Sequence, residues 1–139
     1  MSSRRQARII AFQTIYQRQK IGVQEDGEAR LLRQFPISHK HLGFFEKLRD
    51  TTWNQLPIID KQIRTYLVNW KQDRISDSLN ALMRVAVGEL LFFPETDGKV
   101  VFNEAIEICR SYVDKDATGI LNGVLHSVWK NRKDPDQPS

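Results

Sequence analysis

Three arginines stand at the start of a predicted helix in the opening stretch MSSRRQARIIAFQTIY. The guanidinium group binds phosphate through two hydrogen bonds and stacks on bases, which an ammonium group does less well. Arg4 and Arg8 are four residues apart and therefore share a helix face, with Arg5 roughly a quarter-turn away. Ser3 and Gln6 form a capping-box pattern, which predicts that the helix starts at Ser3. The three cations thus lie where the helix dipole disfavours them by about 0.3–1 kcal/mol each.

The charge of the whole chain is concentrated on this helix. The sequence has 21 Lys and Arg against 17 Asp and Glu, a formal net charge of +4. Residues 1–20 contain five basic residues and no acid, and the first acid is Glu25, which leaves residues 21–139 close to neutral. A localised basic cluster is typical of a protein with a polyanionic partner. Composition alone therefore favours nucleic-acid binding over a merely solvated basic helix end.

Two aromatic residues follow the arginines on the same helix. Phe12 is predicted to belong to the core because it continues the apolar period of Ile9 and Ile15. Tyr16 has two interpretations: a core residue with a satisfied hydroxyl group, or an aromatic platform at the rim of a nucleic-acid site.

Residues for catalysis or metal binding do not form a recognisable set. His39 and His41 are two positions apart and diverge on a helix, and no cysteine or carboxylate pair completes a metal-ligand spacing. Cys109 lies on an apolar helix face and is predicted to be a small core residue. There is no glycine-rich phosphate loop, and Glu104 and Glu107 are interpreted as ordinary helix-surface acids. We therefore predict no enzyme, no cofactor and no metal site.

Length and cysteine content indicate a single globular domain in a reducing compartment. A chain of 139 residues with 40% hydrophobic residues suffices for one core. Cys109 is the only cysteine, so an internal disulfide is impossible and the cytoplasm fits best. No apolar run approaches the ~18 residues of a membrane span, and the N-terminus lacks the apolar core of a signal peptide.

Hydrophobic spacing predicts an all-α, single-domain bundle of about six or seven helices, without strands or repeats. After the first helix, residues 22–30 are polar, contain two glycines and are predicted to form a loop leading into the short apolar segment 31–35. A long helical region then begins at Ser38. Pro57 is expected to start or kink a second segment, whose period continues to Trp70.

Three more helices are predicted in the second half of the chain. Ser76 is expected to cap one that stops near Pro94. A turn over 96–98 precedes the next, over 100–112. Asp114 or Asp116 is expected to cap the last.

Three blocks of sequence, in order, resemble the NusB family of transcription antitermination factors. The first is the opening RRQARIIAFQTIY, which is similar to the family's arginine-rich helix and its aromatic end. The second, ALMRVAVGELL at 81–91, is similar to the family's helix with Leu-Arg and Glu-Leu pairs. The third combines VVFNEAIEICRSY at 100–112 with LNGVL at 121–125, matching the family's Asn-Glu-Ala and Asn-Gly-Val-Leu signatures.

The resemblance implies a NusB-like RNA-binding helical domain over residues 1–132, followed by a disordered polar tail over 133–139. It implies binding of boxA-type single-stranded RNA in nascent rRNA transcripts, jointly with ribosomal protein NusE. The complex would join elongating RNA polymerase and suppress termination. The residues implied to face the RNA are Arg4, Arg5, Arg8, Tyr16, Tyr112, Asp116 and Ile120.

Three positions depart from the family pattern. Gln6 replaces a frequent arginine and removes one charge. Ile120, after Gly119, stands where an aromatic residue is common, so a base-stacking ring is absent there. Gly88 occupies a position that is usually bulkier. These departures bear on RNA affinity and sequence preference more than on the fold.

Two further residues match the family pattern and are interpreted structurally. Arg84 and Glu89 are expected to form a semi-buried ion-pair network between helices, together with Glu104.

Two other functions stay open at this point. The same helices could serve a protein-only adaptor or a homodimer with weakened RNA binding, since some family members are thought to dimerise and cover the arginine helix. The chain could also be a domain of a longer rRNA methyltransferase, because such enzymes can carry a similar domain.

Overall fold

The computed structural model describes residues 3–132, and these fold into seven α-helices around one hydrophobic core, with no strand in that range. This confirms the predicted all-α class. The predicted tail over 133–139 lies outside the described residues. The helices are α1 (Arg4–Ile21), α2 (Glu25–Gln34), α3 (His39–Asn54), α4 (Leu56–Tyr66), α5 (Asp77–Phe92), α6 (Gly98–Tyr112) and α7 (Thr118–Asn131).

Helix α1 begins as the capping pattern predicts. The Ser3 side chain accepts a hydrogen bond from the Gln6 backbone N–H at 3.2 Å, and the first turn contains no acidic residue. The helix ends at Gly22, whose N–H donates to the Arg18 carbonyl and whose positive φ of 75° turns the following chain out of the helix. Between these ends α1 lies against α3 and α5 and buries Ile10 and Ile15 almost completely.

The predicted loop over 22–30 is wrong, because α2 occupies most of it. Three acids in the first turn complement the helix dipole. The helix has no fully buried residue, but Leu31 and Leu32 pack partly buried against the core. In addition, Glu28 pairs with Arg49 of α3 at 3.0 Å and lies 3.6 Å from Arg18 of α1. Contacts distant in sequence thus hold a helix that its internal Gly27 disfavours.

The break at Pro57 is confirmed, since α3 ends at Asn54 and α4 carries this proline in its first turn. The helix that begins near Pro57 is shorter than the apolar spacing up to Trp70 predicts. It ends at Tyr66, and Trp70 lies beyond it in a loop with half of its surface exposed. In the same loop, Asn69 has a positive φ of 69°, a left-handed conformation that asparagine tolerates.

Helix α5 is the central element of the bundle, in contact with α1, α3, α4, α6 and α7. Ser76 caps it as predicted, accepting from the Leu79 N–H at 3.1 Å. Gly88 permits a close approach: a Cβ there would lie 3.0 Å from Thr52 Oγ1 and 3.2 Å from Ile59 Cδ1. Side chains of α3 and α4 therefore occupy the space that a bulkier residue would need.

Helix α5 runs antiparallel to α1, because Arg8 pairs with Glu89 while Lys20 pairs with Asp77 at the other end. The short connection from α5 to α6 reverses the chain again. Helices α1 and α6 therefore run in the same direction on one side of α5.

The boundaries of the last two helices differ from the prediction. Helix α6 starts within the predicted turn, at Gly98, because Asp97 caps it through the Lys99 N–H at 3.0 Å. Asp114 caps a short 3₁₀ turn, accepting from the Asp116 N–H at 2.9 Å. Helix α7 follows that turn and has no side-chain cap, so neither aspartate caps it directly.

Candidate nucleic-acid interface

Two of the three predicted arginines, Arg4 and Arg5, are exposed at the start of α1. They line a groove of about 710 Å³ between this end of α1 and residues 95–104. Because the first turn holds no acid, the positive end of the helix dipole adds to their charge. The groove therefore presents cations and a helix N-terminus, which favour phosphate groups, together with the carboxylates of Glu95, Asp97 and Glu104.

Arg5 is held from one side by α6. Its Nε donates to Glu104 Oε2 at 2.6 Å and its Nη2 donates to Oε1 at 3.2 Å. This hydrogen-bonded contact raises the pKa of Arg5 further above its ordinary value. The Arg5 side chain is still 53% exposed, so Nη1 and the outer edge of the fork face solvent.

Arg4 is held by an aromatic ring of α3. Its guanidinium carbon lies 4.5 Å from the centroid of the Phe44 ring, within cation–π range. Phe44 in turn meets Phe93 edge to face, with the ring centroids 5.7 Å apart. Glu95 lies nearby, and its pKa is lowered by a backbone hydrogen bond and by the positive charges of Lys47 and Arg4.

Arg8 also lines this groove, but unlike Arg4 and Arg5 its side chain is only 7% exposed, and its predicted contact with RNA stays a prediction. Its Nε donates to Glu89 Oε1 at 2.8 Å and its Nη2 donates to Oε2 at 2.7 Å, and both side chains are buried. Arg4 and Arg8 share a helix face, as their spacing predicts, since both guanidinium groups lie over the Phe44 ring. However, Arg8 is one turn deeper in the bundle, where the buried carboxylate of α5 requires a partner.

The predicted network of Arg84, Glu89 and Glu104 is wrong in its connections. Arg84 pairs with Asp60 of α4 through Nε and Nη2, and donates from Nη1 to Gln19 of α1. Glu89 and Glu104 pair instead with arginines of α1. The sequence identifies charged residues that link helices, but the partners come from the packing.

Tyr16 lies away from the arginines on α1. It is twelve residues beyond Arg4, about 18 Å along the helix axis. The ring is half-buried against the core, and the Lys20 Nζ lies 5.3 Å from its centroid. Its packing agrees with the first interpretation, while a role at the rim of a nucleic-acid site stays a prediction.

Tyr112, Asp116 and Ile120 lie around the junction of α6 and α7. Tyr112 ends α6 and is 50% exposed. Asp116 is exposed in the 3₁₀ turn, and Ile120 is partly buried against the core. Since α6 runs in the same direction as α1, Tyr112 lies about 12 Å along the helix beyond Glu104, in the direction of Tyr16.

Two residues that hold the exposed arginines were not assigned to the site from the sequence. Phe44 and Glu104 are 40 and 99 positions from their arginine partners. Phe44 carries no local signal beyond its place in an apolar period. Glu104 is part of the Asn-Glu-Ala signature, which marks it as notable without naming its partner.

Other kinds of site are not found in the described part of the chain. No group of three or more His, Cys, Asp or Glu residues within 3–132 could hold a metal ion. No helix in that range is long and apolar enough to cross a membrane. Cys109 is buried, and this burial raises the pKa of its thiol.

The described residues form an all-helical bundle with an exposed arginine pair at a helix N-terminus, a surface suited to a polyanionic ligand. The model of the NusB family matches residues 5–130. The chain belongs to the NusB family. It is 32% identical to the transcription antitermination protein NusB of Nitratidesulfovibrio vulgaris (strain DP4), over 92% of this chain and 88% of that protein.

A shorter match and a solved structure agree with this membership. Over 54% of this chain, the sequence is 43% identical to the transcription antitermination protein NusB of Clostridium perfringens (strain SM101 / Type A), and the match spans about half of that relative, 56% of its length. The fold matches a chain from the crystal structure of antitermination factors NusB and NusE in complex with dsRNA. That match has a TM-score of 0.81 and 25% identity, covering 91% of this chain and 96% of the other.

Proposed function

We propose that this chain is an RNA-binding transcription antitermination factor. It binds boxA-type single-stranded RNA of nascent rRNA transcripts together with ribosomal protein NusE, and the complex suppresses termination by RNA polymerase. The observation that carries the proposal is the exposed Arg4 and Arg5 pair at an acid-free helix N-terminus, in a chain of the NusB family.

Several features support RNA as the ligand. The two arginines line a groove of about 710 Å³ at the start of α1. Tyr112 offers an exposed ring for stacking further along the same side of the molecule. A relative of known structure is named in complex with NusE and dsRNA, which makes joint binding of RNA and NusE the expected mode.

The proposal includes no catalytic step, because the relatives bear the name of a regulatory factor. It also places the protein in the cytoplasm, where bacterial transcription occurs. Phosphate contacts position RNA without reading its sequence, so specificity must come from base contacts. We assign those contacts to Tyr16, Tyr112 and Asp116, with Ile120 offering contact but no ring.

A binding titration tests this function. Labelled boxA-like RNA, a scrambled single strand and a duplex are titrated with the protein, with and without NusE. We expect modest preference for the boxA-like strand by the protein alone, and tighter, more selective binding when NusE is present. Equal binding of the scrambled strand with NusE present would contradict the proposed specificity, and binding of the duplex alone would contradict the single-stranded ligand.

A protein-only adaptor or homodimer is the second candidate. Its specific support is the pair of exposed apolar side chains at Val68 and Trp70, which are 73% and 51% exposed on the loop after α4. Sedimentation of the protein alone and with NusE tests it. A complex with NusE or a dimer, combined with no RNA binding under any condition, would favour this candidate over the first.

A further inference from the structure

The contact between Arg5 and Glu104 has two opposite expected effects on the affinity for a polyanion. Glu104 puts a negative charge in the groove where a polyanion is expected to bind, and simple electrostatics says that this charge opposes binding. Its carboxylate nevertheless makes a two-point contact with an arginine that faces that groove.

The geometry of the contact leaves Arg5 able to bind a second partner. Glu104 uses the Nε edge of the fork and one hydrogen of Nη2, so three of the five N–H donors stay free. The Arg5 side chain is 53% exposed and Glu104 only 20% exposed, so the free donors lie on the solvent side and the carboxylate lies behind them.

The contact with Glu104 orders the long Arg5 side chain before a ligand binds. A free arginine at a surface loses rotamer freedom when it binds, and this lowers affinity. An arginine already fixed by a planar two-point contact loses less. The opposing effect, repulsion between Glu104 and a phosphate on the far side of the guanidinium group, is weakened by water and salt.

We propose that Glu104 is a positioning residue for RNA binding, which holds the Arg5 guanidinium group in the orientation that meets a phosphate of the RNA. The proposal rests on the proposed RNA-binding function and adds a role for α6 in preparing an α1 residue. Glu104 itself makes no contact with RNA.

The groove contains a matched control for this role. Glu95 lines the same groove and carries the same charge, but its ion pair is with Lys47 at 3.5 Å rather than with Arg5. Neutralising Glu95 removes one negative charge from the groove and leaves the Arg5 contact intact. The substitutions Glu104→Gln and Glu95→Gln each remove one negative charge from the groove lining. Only Glu104→Gln alters the contact that orients Arg5, whereas Glu95→Gln releases Lys47 and the charge interaction with Arg4.

The test compares RNA affinity in these variants at one salt concentration. We expect E104Q to weaken binding about two- to tenfold, the cost of ordering one flexible side chain. We expect E95Q to leave affinity unchanged or to raise it slightly. Tighter binding by E104Q would overturn the proposal.

A double-mutant cycle shows whether Glu104 acts through Arg5. In an Arg5→Ala background, E104Q should cause no further loss of affinity, because the side chain that Glu104 positions is absent. A full loss from E104Q in that background would show a structural role elsewhere and would also overturn the proposal. Thermal melting of each variant separates loss of folding from loss of binding.

A measurement without RNA tests the positioning directly. The Arg5 Nε–H resonance in an NMR spectrum should exchange slowly with water in the native protein and quickly in Glu104→Ala. Equal exchange in both would overturn the proposal. If the native protein shows the slow resonance but binds no RNA, the proposed function fails while the observed contact stands, so the two failures are distinguishable.

Discussion

Two arginine–glutamate pairs join α1 to its neighbours, three residues apart on the same helix, and they differ chiefly in burial. In the first, Arg5 and Glu104 are 53% and 20% exposed. In the second, Arg8 and Glu89 are 7% and 1% exposed. Both use the Nε and Nη2 atoms of the arginine against both carboxylate oxygens.

The same chemistry has different consequences at the two places. An exposed pair contributes about 0–1 kcal/mol to stability because water and salt weaken it. A buried pair adds little net stability either, but losing one partner leaves an uncompensated charge in the core. The exposed arginine thus has surface available for a ligand, whereas the buried arginine is needed to neutralise Glu89 in the core.

Breaking the buried pair should have the largest effect. Arg8→Ala leaves Glu89 without a partner among apolar side chains, and we expect the free energy of unfolding to fall by about 3–5 kcal/mol. Urea denaturation followed by circular dichroism measures this. Arg8→Met combined with Glu89→Leu removes both charges and should recover most of the loss. A loss of stability in Arg8→Ala no larger than that in Arg5→Ala would contradict the expected difference between the buried and the exposed pair.

The exposed arginines should govern the salt dependence of RNA binding. Each phosphate contact with a single strand adds about −0.7 to the slope of log K against log salt concentration. Replacing Arg4 and Arg5 together by Ala should therefore reduce that slope by about 1.4 and weaken binding. Fluorescence anisotropy across a salt series measures the slope. Arg8→Met combined with Glu89→Leu is the matched variant, because it removes the buried charges together, and a reduced slope in it would show that Arg8 also reaches the RNA.

Substitutions at the junction of α6 and α7 test whether exposed side chains outside the two arginine–glutamate pairs also bind RNA. Tyr112→Ala removes an exposed ring and should cost about 1–3 kcal/mol of RNA-binding free energy if one base stacks on it. Ile120→Phe adds a ring beside it and should tighten binding. These affinities are compared with that of the native protein for boxA-like RNA. If both variants bind RNA as the native protein does, this junction is not an RNA surface.

The smallest effect concerns stability at the exposed pair. Arg5→Ala should lower the free energy of unfolding by about 0.2–1 kcal/mol, and this loss should shrink as salt is added. The loss in Arg8→Ala should change little with salt, because buried charges are screened much less. Denaturation at low and high ionic strength measures both. A salt-independent cost for Arg5→Ala would mean that its ion pair is more protected than its exposure indicates.

Sequence by itself determined the features that depend on neighbouring residues. Ser3 and Ser76 cap helices because their hydroxyl groups reach N–H groups three residues away, and Pro57 marks a helix start through its fixed φ. The exposed Arg4 and Arg5 also follow from position alone, since they precede the apolar period of α1. The three ordered sequence blocks indicated the NusB family, and the resemblance to that family implied the all-helical fold.

Tertiary structure alone decided whatever depends on a distant partner. Arg8 shares a helix face with Arg4, but only the packing of α5 against that face buries it with Glu89. Helix α2 tolerates Gly27 because Arg49 reaches Glu28 from α3 and Leu31 and Leu32 pack against the core. Glu104 meets Arg5 across 99 positions. Periodicity fixes the direction of a side chain within its helix, whereas burial and ion pairing depend on which helix lies opposite, and no local pattern encodes that.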